Sequence, residues 1–160
     1  MRKIIIFGNS GSGKSTFARQ FQKAGLAHLD LDTLAWDMNP DPVRKPLRES
    51  QRDISRFINN NDSWVIEGCY SDLINFAISH STEIFYMNLG VDLCIENAEN
   101  RPWEPHKYES KQAQDESLAM LVDWISQYPS RTDTFSKVAH ETLYSTYEGK
   151  KTMVMSNQSL

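Results

Sequence analysis

Three glycines crowded into one short segment constrain this chain more than any other feature. Gly8, Gly11 and Gly13, out of seven glycines in all, fall within Gly8-Asn9-Ser10-Gly11-Ser12-Gly13-Lys14-Ser15, which follows the pattern G-x-x-x-x-G-K-[ST]. The segment joins two runs of different period. Upstream, Ile4-Ile5-Ile6-Phe7 is apolar and mostly β-branched, as expected of a strand buried on both faces. Downstream, Phe17, Ala18 and Phe21 recur at helical spacing. At average residue usage, four specified positions in an octet arise by chance in under about one chain in a hundred of this length. A merely flexible turn is therefore the weaker explanation.

A strand, a glycine turn and a helix in that order point successive backbone N–H groups inward, and the helix start adds its positive dipole end. Both favour anionic phosphate groups. Gly8, Asn9, Ser10, Gly11, Ser12, Gly13, Lys14, Ser15 and Thr16 are accordingly expected to hold the phosphates of ATP or GTP. Lys14 is expected to reach the outer phosphates as a point charge. The Ser15 hydroxyl is expected to ligate Mg²⁺, a hard cation that keeps most of its waters.

At 160 residues the chain fits a single domain able to bury roughly two thirds of its unfolded surface without disulfides or a structural metal. Its formal net charge of −4 provides no global positive field, so nucleic acid is not an expected partner. Cys69 and Cys94 have neither C-x-x-C nor paired-histidine spacing and read as buried thiols of a reducing cytosol. The N-terminal apolar run falls far short of the roughly twenty residues that cross a bilayer. A cytoplasmic, membrane-free chain is expected, with its oligomeric state open.

Alternation of element types predicts an α/β fold. Ala27 to Asp32 reads as a second strand, Asn39-Pro40-Asp41-Pro42 as a break, and Leu47 to Ile58 as an amphipathic helix ending at Asn59-Asn60-Asn61. Trp64 to Gly68 and Ile84 to Met87 give a third and a fourth strand. Helical stripes follow over Val91–Ala98, Leu118–Tyr128 and about Asp133–Tyr147, then a last strand at Thr152–Met155. The expectation is one doubly wound layer, a five-stranded parallel sheet flanked by helices, with ligands beyond the carboxyl ends of the strands.

Candidate working residues are those at the strand tips. Asp32 is assigned to the acceptor, as general base, and Asp30 to Mg²⁺ through water, because residues two apart on a strand share a face. Two solvated carboxylates at a strand end remain the alternative. Glu67 is read as orienting Mg²⁺ waters or holding the acceptor, against a surface or capping acid, and Gly68 as allowing close backbone approach. Arg44, Lys45 and Arg48, in an acceptor-side segment over about 36–60, suit carboxylate or phosphate recognition; a solvated cationic helix start is the other reading. Arg101-Pro102-Trp103-Glu104-Pro105-His106-Lys107-Tyr108 reads as a lid, about 101–111, that brings Arg101 or Lys107 onto the transferring group. A rigid loop with Trp103 plugging the core edge is the alternative. No histidine shows ligand or triad spacing. Trp36, Trp64 and Trp124 read as packing groups, and Ser156-Asn157, which follow the last strand, as a purine contact.

The glycine loop, Asp30-Leu31-Asp32 and the Trp64–Gly68 strand together resemble small P-loop kinases of the adenylate kinase and shikimate kinase group. Leu31-Asp32 with Trp36 and Arg44, then Trp64-Val65-Ile66-Glu67-Gly68, are similar to signatures of the topology-modulation-protein-like, or adenylate-kinase-related, set. The resemblance implies a P-loop NTPase fold, ATP with Mg²⁺, an acceptor-binding segment after the second strand and a lid before the fifth. Asp30 and Asp32 match the Asp-x-Asp that contacts metal and acceptor in shikimate kinases. Glu67-Gly68-Cys69-Tyr70 stands where those enzymes carry a Gly-Gly-Gly run, and it echoes only the first two positions of the D-G-F-P-R run of adenylate kinases. Neither shikimate nor AMP is therefore the expected acceptor. Two functions are carried forward: an ATP-dependent phosphotransferase acting on a small-molecule acceptor, and a nucleotide-gated regulatory or binding protein with slow ATPase activity.

Overall fold

The computed structural model describes residues 1–37 and 42–157. The break expected at Asn39-Pro40-Asp41 lies outside them. Strand β1 (Lys3–Gly8) is central, between β5 (Trp64–Gly68) and β6 (Glu83–Met87). Outside these lie β2 (Ala27–Asp30), paired with β5, and β7 (Lys150–Val154), paired with β6. All four pairings are parallel, so the expected five-stranded parallel sheet is what the chain forms. The path runs outward from β1 to β2, returns to β5, then crosses to β6 and β7 on the other side. Such a reversal opens a crevice at the carboxyl ends of the strands.

Alternation along β1 divides the core. Ile5 and Phe7 face one cluster with Ile66, Ile84, Tyr86, Leu73 and Ile74, reached by α2 (Leu47–Asn60), α3 (Ser71–Ala77) and α7 (Lys137–Thr146). Ile4 and Ile6 face the other, with Phe17, Ala18 and Phe21 of α1 (Lys14–Lys23), Cys94 and Ala98 of α4 (Val91–Glu99), and Ile125 of α6 (Leu118–Ser126). Ile4, Ile5, Ile6 and Phe7 are fully buried, and each such side chain contributes about 1.5–3 kcal/mol relative to exposure. Helix α1 closes as expected at Gly25, with Gly25 N–H donating to Gln22 O and Leu26 N–H to Phe21 O.

Four boundaries differ from the sequence expectation. Strand β2 stops at Asp30 because that side chain accepts from Asp32 N–H at 2.9 Å and caps a single 3₁₀ turn over Leu31–Thr33. Asp30 and Asp32 thus do not share a strand face. The stripe Leu118–Tyr128 is preceded by a separate helix, α5 (Lys111–Glu116), capped by Ser110. Helix α7 begins at Lys137, not Asp133, because Ser136 caps it through Ala139 N–H. Strand β7 starts two residues before Thr152 and ends one before Met155, an edge whose first residues are exposed lysines. Helix α3 and a two-stranded ribbon, β3 (Trp36–Asp37) with β4 (Val43–Arg44), are additions. No helix among the described residues is long and apolar enough to cross a membrane.

Candidate active site

The glycine loop owes its shape to what presses on it. A Cβ on Gly8 would lie 2.5 Å from Met87 O, and one on Gly11 would lie 2.4 Å from Cys94 O. Gly11 also has φ +78°, a left-handed conformation that disfavours any side chain. Asn97 of α4 donates to Gly11 O at 2.8 Å, and the Asn9 side chain, almost buried, donates to Ile125 O at 3.2 Å. The loop is therefore clamped by α4 and α6. Lys14 Nζ donates to Asn9 O at 2.7 Å, and the buried Ser12 hydroxyl has no partner.

Beside the loop, four carboxylates and one ammonium meet. Lys107 Nζ lies 2.9 Å from Asp32 Oδ2, 3.7 Å from Asp30 Oδ2 and 3.7 Å from Glu104 Oε2. Glu67, almost fully buried in β5, lies 2.9 Å from His28 Nε2. Tyr70 donates its hydroxyl to Asp32 Oδ1 and accepts from Trp36 Nε1 at 2.8 Å. Burial, with the charges of Glu67 and Asp32, pushes the Asp30 carboxyl up to about 6, only partly offset by Lys107. Burial also opposes ionisation of Asp32, but Lys107 and the Tyr70 hydroxyl outweigh it and hold that carboxyl below the usual range. For Lys107 the facing acids overcome burial and raise it above an ordinary lysine. Burial and the Asp32 charge keep Tyr70 protonated, hence a donor.

A cavity of about 470 Å³ joins these parts. Its lining includes Ser10, Gly11, Ser12, Gly13, Lys14, Ser15 and Thr16 from the glycine loop and the start of α1, Asp32, Glu67, Gly68 and Cys69 from the ends of β2 and β5, and Arg101, Glu104 and Lys107 from the 101–110 loop. Asn97 and Asn157, which exchange amide hydrogen bonds of 2.8 and 3.0 Å, close the end beside the loop. Gly8, Asn9, Asp30, Arg44, Lys45 and Arg48 do not line it. Gly8 and Asn9 support the loop from behind. Asp30 meets the site through Lys107 and the Asp32 amide. Arg44 points instead to Asp72, at 3.2 Å, with its guanidinium 5.0 Å from the Tyr70 ring centre, and Arg48 is exposed. Gly68 serves packing: a Cβ there would lie 2.9 Å from the Leu31 side chain.

Residues 101–110 form an ordered loop tied down by its own contacts. Arg101 pairs with Glu104 at 3.1 Å, Trp103 Nε1 donates to Tyr108 O at 3.0 Å, and Gln114 of α5 binds Glu104 N–H and Pro102 O. Trp103 is 42% exposed and does not plug the core. Residues that sequence reasoning missed are Glu104, Tyr70, Asn97 and His28. Tyr70 sits three residues after Glu67 on a chain already assigned to the strand tip, which was the available signal; Glu104 and Asn97 carry none. Cys69 lines the cavity, but burial pushes its thiol up to about 12, so it stays protonated. The buried His140, pushed down to about 4 by burial, bonds Tyr128 and Cys69 O inside the core.

The donor set fits a hydrated hard cation held chiefly by phosphate oxygens. Ser15 and Asp32 share the cavity, while no cluster of three or more acidic, histidine or cysteine side chains among the described residues could hold a metal by itself.

No protein-family model matches the chain, and no curated protein does. Solved structures do. A gluconokinase from Sinorhizobium meliloti 1021 is 15% identical, aligns over 99% of this chain and 84% of its own, and has a TM-score of 0.56. TT1252 from Thermus thermophilus is 13% identical over 99% and 90%, with a TM-score of 0.54. A sugar kinase from Janibacter sp. HTCC2649 is 11% identical over 99% and 87%, also at 0.54. Identity this low speaks to fold alone: the chain shares with these structures an α/β fold, here a five-stranded parallel sheet flanked by helices.

Proposed function

We propose that the chain is an Mg²⁺- and ATP-dependent phosphotransferase acting on a small hydroxyl-bearing acceptor. The observation that carries this is one cavity lined by the glycine loop, the carboxylates of Asp32 and Glu67, and the cations Arg101 and Lys107, with Lys107 Nζ 2.9 Å from Asp32. Phosphoryl transfer asks for little more than this: charge neutralisation, positioning and exclusion of water. The loop and Lys14 hold the triphosphate. Ser15 would ligate the cation and Asp32, with Asp30 behind it, would receive its waters; when bound, Mg²⁺ would supply charge neutralisation on the phosphates.

Asp32 accepts the proton of the acceptor hydroxyl as that oxygen bonds to the γ-phosphorus and the bond to the departing ADP oxygen breaks. Asp32 is ionised, and losing Lys107, which holds its carboxyl down, would strengthen it as a base. Glu67 orients the acceptor or cation waters. Residues 101–111 act as the lid, and Lys107 exchanges Asp32 for a phosphate oxygen as it closes, freeing Asp32 Oδ2. The likeness of Leu31-Asp32, Trp36, Arg44 and Trp64–Gly68 to the topology-modulation-protein-like set supports the same assignment. The test is transfer of labelled γ-phosphate to a panel of nucleosides, nucleotides, sugars and hydroxy acids. Transfer to at least one is expected, whereas hydrolysis that no acceptor accelerates would establish the regulatory alternative.

A further inference from the structure

We infer that the phosphoryl acceptor carries no phosphate or carboxylate group and is an uncharged polyol or an amine-bearing alcohol. This rests on the phosphotransferase reading and narrows it. The argument is an inventory of cations around the cavity. Among the described residues, the positive side chains lining it are Lys14, Arg19, Arg101 and Lys107. Lys14 and Arg19 belong to α1, which begins at the glycine loop. Arg101 and Lys107 come from the 101–110 loop, Arg101 held by Glu104 at 3.1 Å and Lys107 facing three carboxylates.

The wall at the carboxyl ends of β2 and β5, where an acceptor oxygen must sit to reach Asp32, has the opposite sign. It offers Asp32 and Glu67, with Gly68 and Cys69 contributing no charge. The one arginine near it on the far side, Arg44, is held by Asp72 at 3.2 Å and by the rings of Tyr70 and Phe135 at 5.0 and 5.8 Å, and its Nε is shut off from solvent. Lys45 and Arg48 do not reach the cavity. Residues 38–41 and 158–160, outside the described set, include no lysine or arginine in sequence. An anionic acceptor at that wall would place its charge beside two carboxylates, and the groups that touch them, Lys107 on Asp32 and His28 on Glu67, are already engaged; like charges in such proximity are costly. Hydroxyls are the natural complement, since they donate to Asp32 and Glu67, and an ammonium would add attraction.

Matched acceptors decide the matter with the wild-type protein and saturating Mg·ATP, reading ADP release and labelled product. One set is a hexose, its hexose phosphate and its aldonic acid; another is a nucleoside and its monophosphate; an amino sugar completes the panel. The neutral or amine-bearing member of a set is expected to show kcat/KM at least about tenfold above its anionic partner. An anionic member turned over as well or better overturns the inference while leaving the phosphotransferase reading intact. If no member accelerates ADP release, although Lys14-dependent ATP binding persists, the phosphotransferase reading fails and this inference falls with it.

Discussion

In the phosphate loop, polarity comes from backbone fixed in place by packing, whereas in the Lys107 cluster it comes from side-chain charges that hold one another. Gly8 and Gly11 abut carbonyl oxygens of β6 and α4, so the loop is set before any ligand arrives. Asp30, Asp32, Glu104 and Lys107 come from two distant segments and depend on their mutual protonation states. The first arrangement resists pH and is intolerant of added atoms. The second tolerates substitution better and responds to pH. Preorganised dipoles suit a constant partner such as the proposed triphosphate, and exchangeable ion pairs suit a loop with the lid role proposed for residues 101–111.

The sharpest way to break this contrast is Gly11→Ala. A left-handed side chain costs roughly 1–2 kcal/mol, and forcing its methyl group against Cys94 O adds about 1–3 kcal/mol. Urea unfolding should show a loss of about 2–5 kcal/mol. Gly13→Ala is the control, because its φ is +84° but nothing lies within 4 Å of the new Cβ, leaving a loss of about 1–2 kcal/mol. Equal losses at the two positions would show that α4 does not clamp the loop. Next in size is Lys14→Ala. At a hundred times its Kd, Mg·ATP should stabilise the wild type by about 2.7 kcal/mol, and thermal melts of the variant should lose that gain. Retained ATP-dependent stabilisation would remove Lys14 from the phosphate site.

The same contrast explains what could be read from sequence. The loop, β1 and α1 were legible because eight contiguous residues carry both the geometry and the chemistry. Strands β5 and β6 were legible because both faces are buried and the runs Trp64–Ile66 and Ile84–Met87 within them are continuously apolar. Asp32 and Lys107 were legible as candidates, yet the reason for Asp30 and Asp32 converging was not: Asp30 captures its neighbour's amide and turns the chain, a local competition that alternation does not reveal. Arg44 looked available until Asp72, on the short helix α3, was found beside it. Seven residues of α3 give too few turns for a periodic signal.

The cluster's response to pH provides a third, smaller effect. Because the Asp30 carboxyl titrates at about 6 rather than at its ordinary 3.8, its ionisation works against the folded state. That penalty is absent below about pH 4, grows between about 4 and 6, and is complete above. Asp30→Asn keeps an oxygen to accept Asp32 N–H, so near neutral pH it should be more stable than wild type by about 1–3 kcal/mol. The difference should vanish by about pH 4. A constant or reversed difference across that window in urea titrations would mean that Lys107 already compensates Asp30 in full.

Smallest is the effect of Tyr70→Phe, and it discriminates most finely. The phenol holds Asp32 Oδ1 and receives Trp36 Nε1, so the variant loses one charge-assisted bond and leaves the indole N–H without its acceptor. A bond to a charged group contributes more than an ordinary one, but the Asp32 side chain is 40% exposed, and water replaces much of it. A loss of about 1 kcal/mol is expected. The pH dependence has a definite sign. Asp32 is held below its ordinary range, so its contribution is present above the unfolded value and disappears as pH falls through the folded one. Without the phenol the folded value rises, and the acid limb of stability moves to higher pH while Lys107 still holds Oδ2. An unmoved acid limb accompanied by the same loss of stability would reduce Tyr70 to a packing group and leave Lys107 as the principal control of Asp32 ionisation.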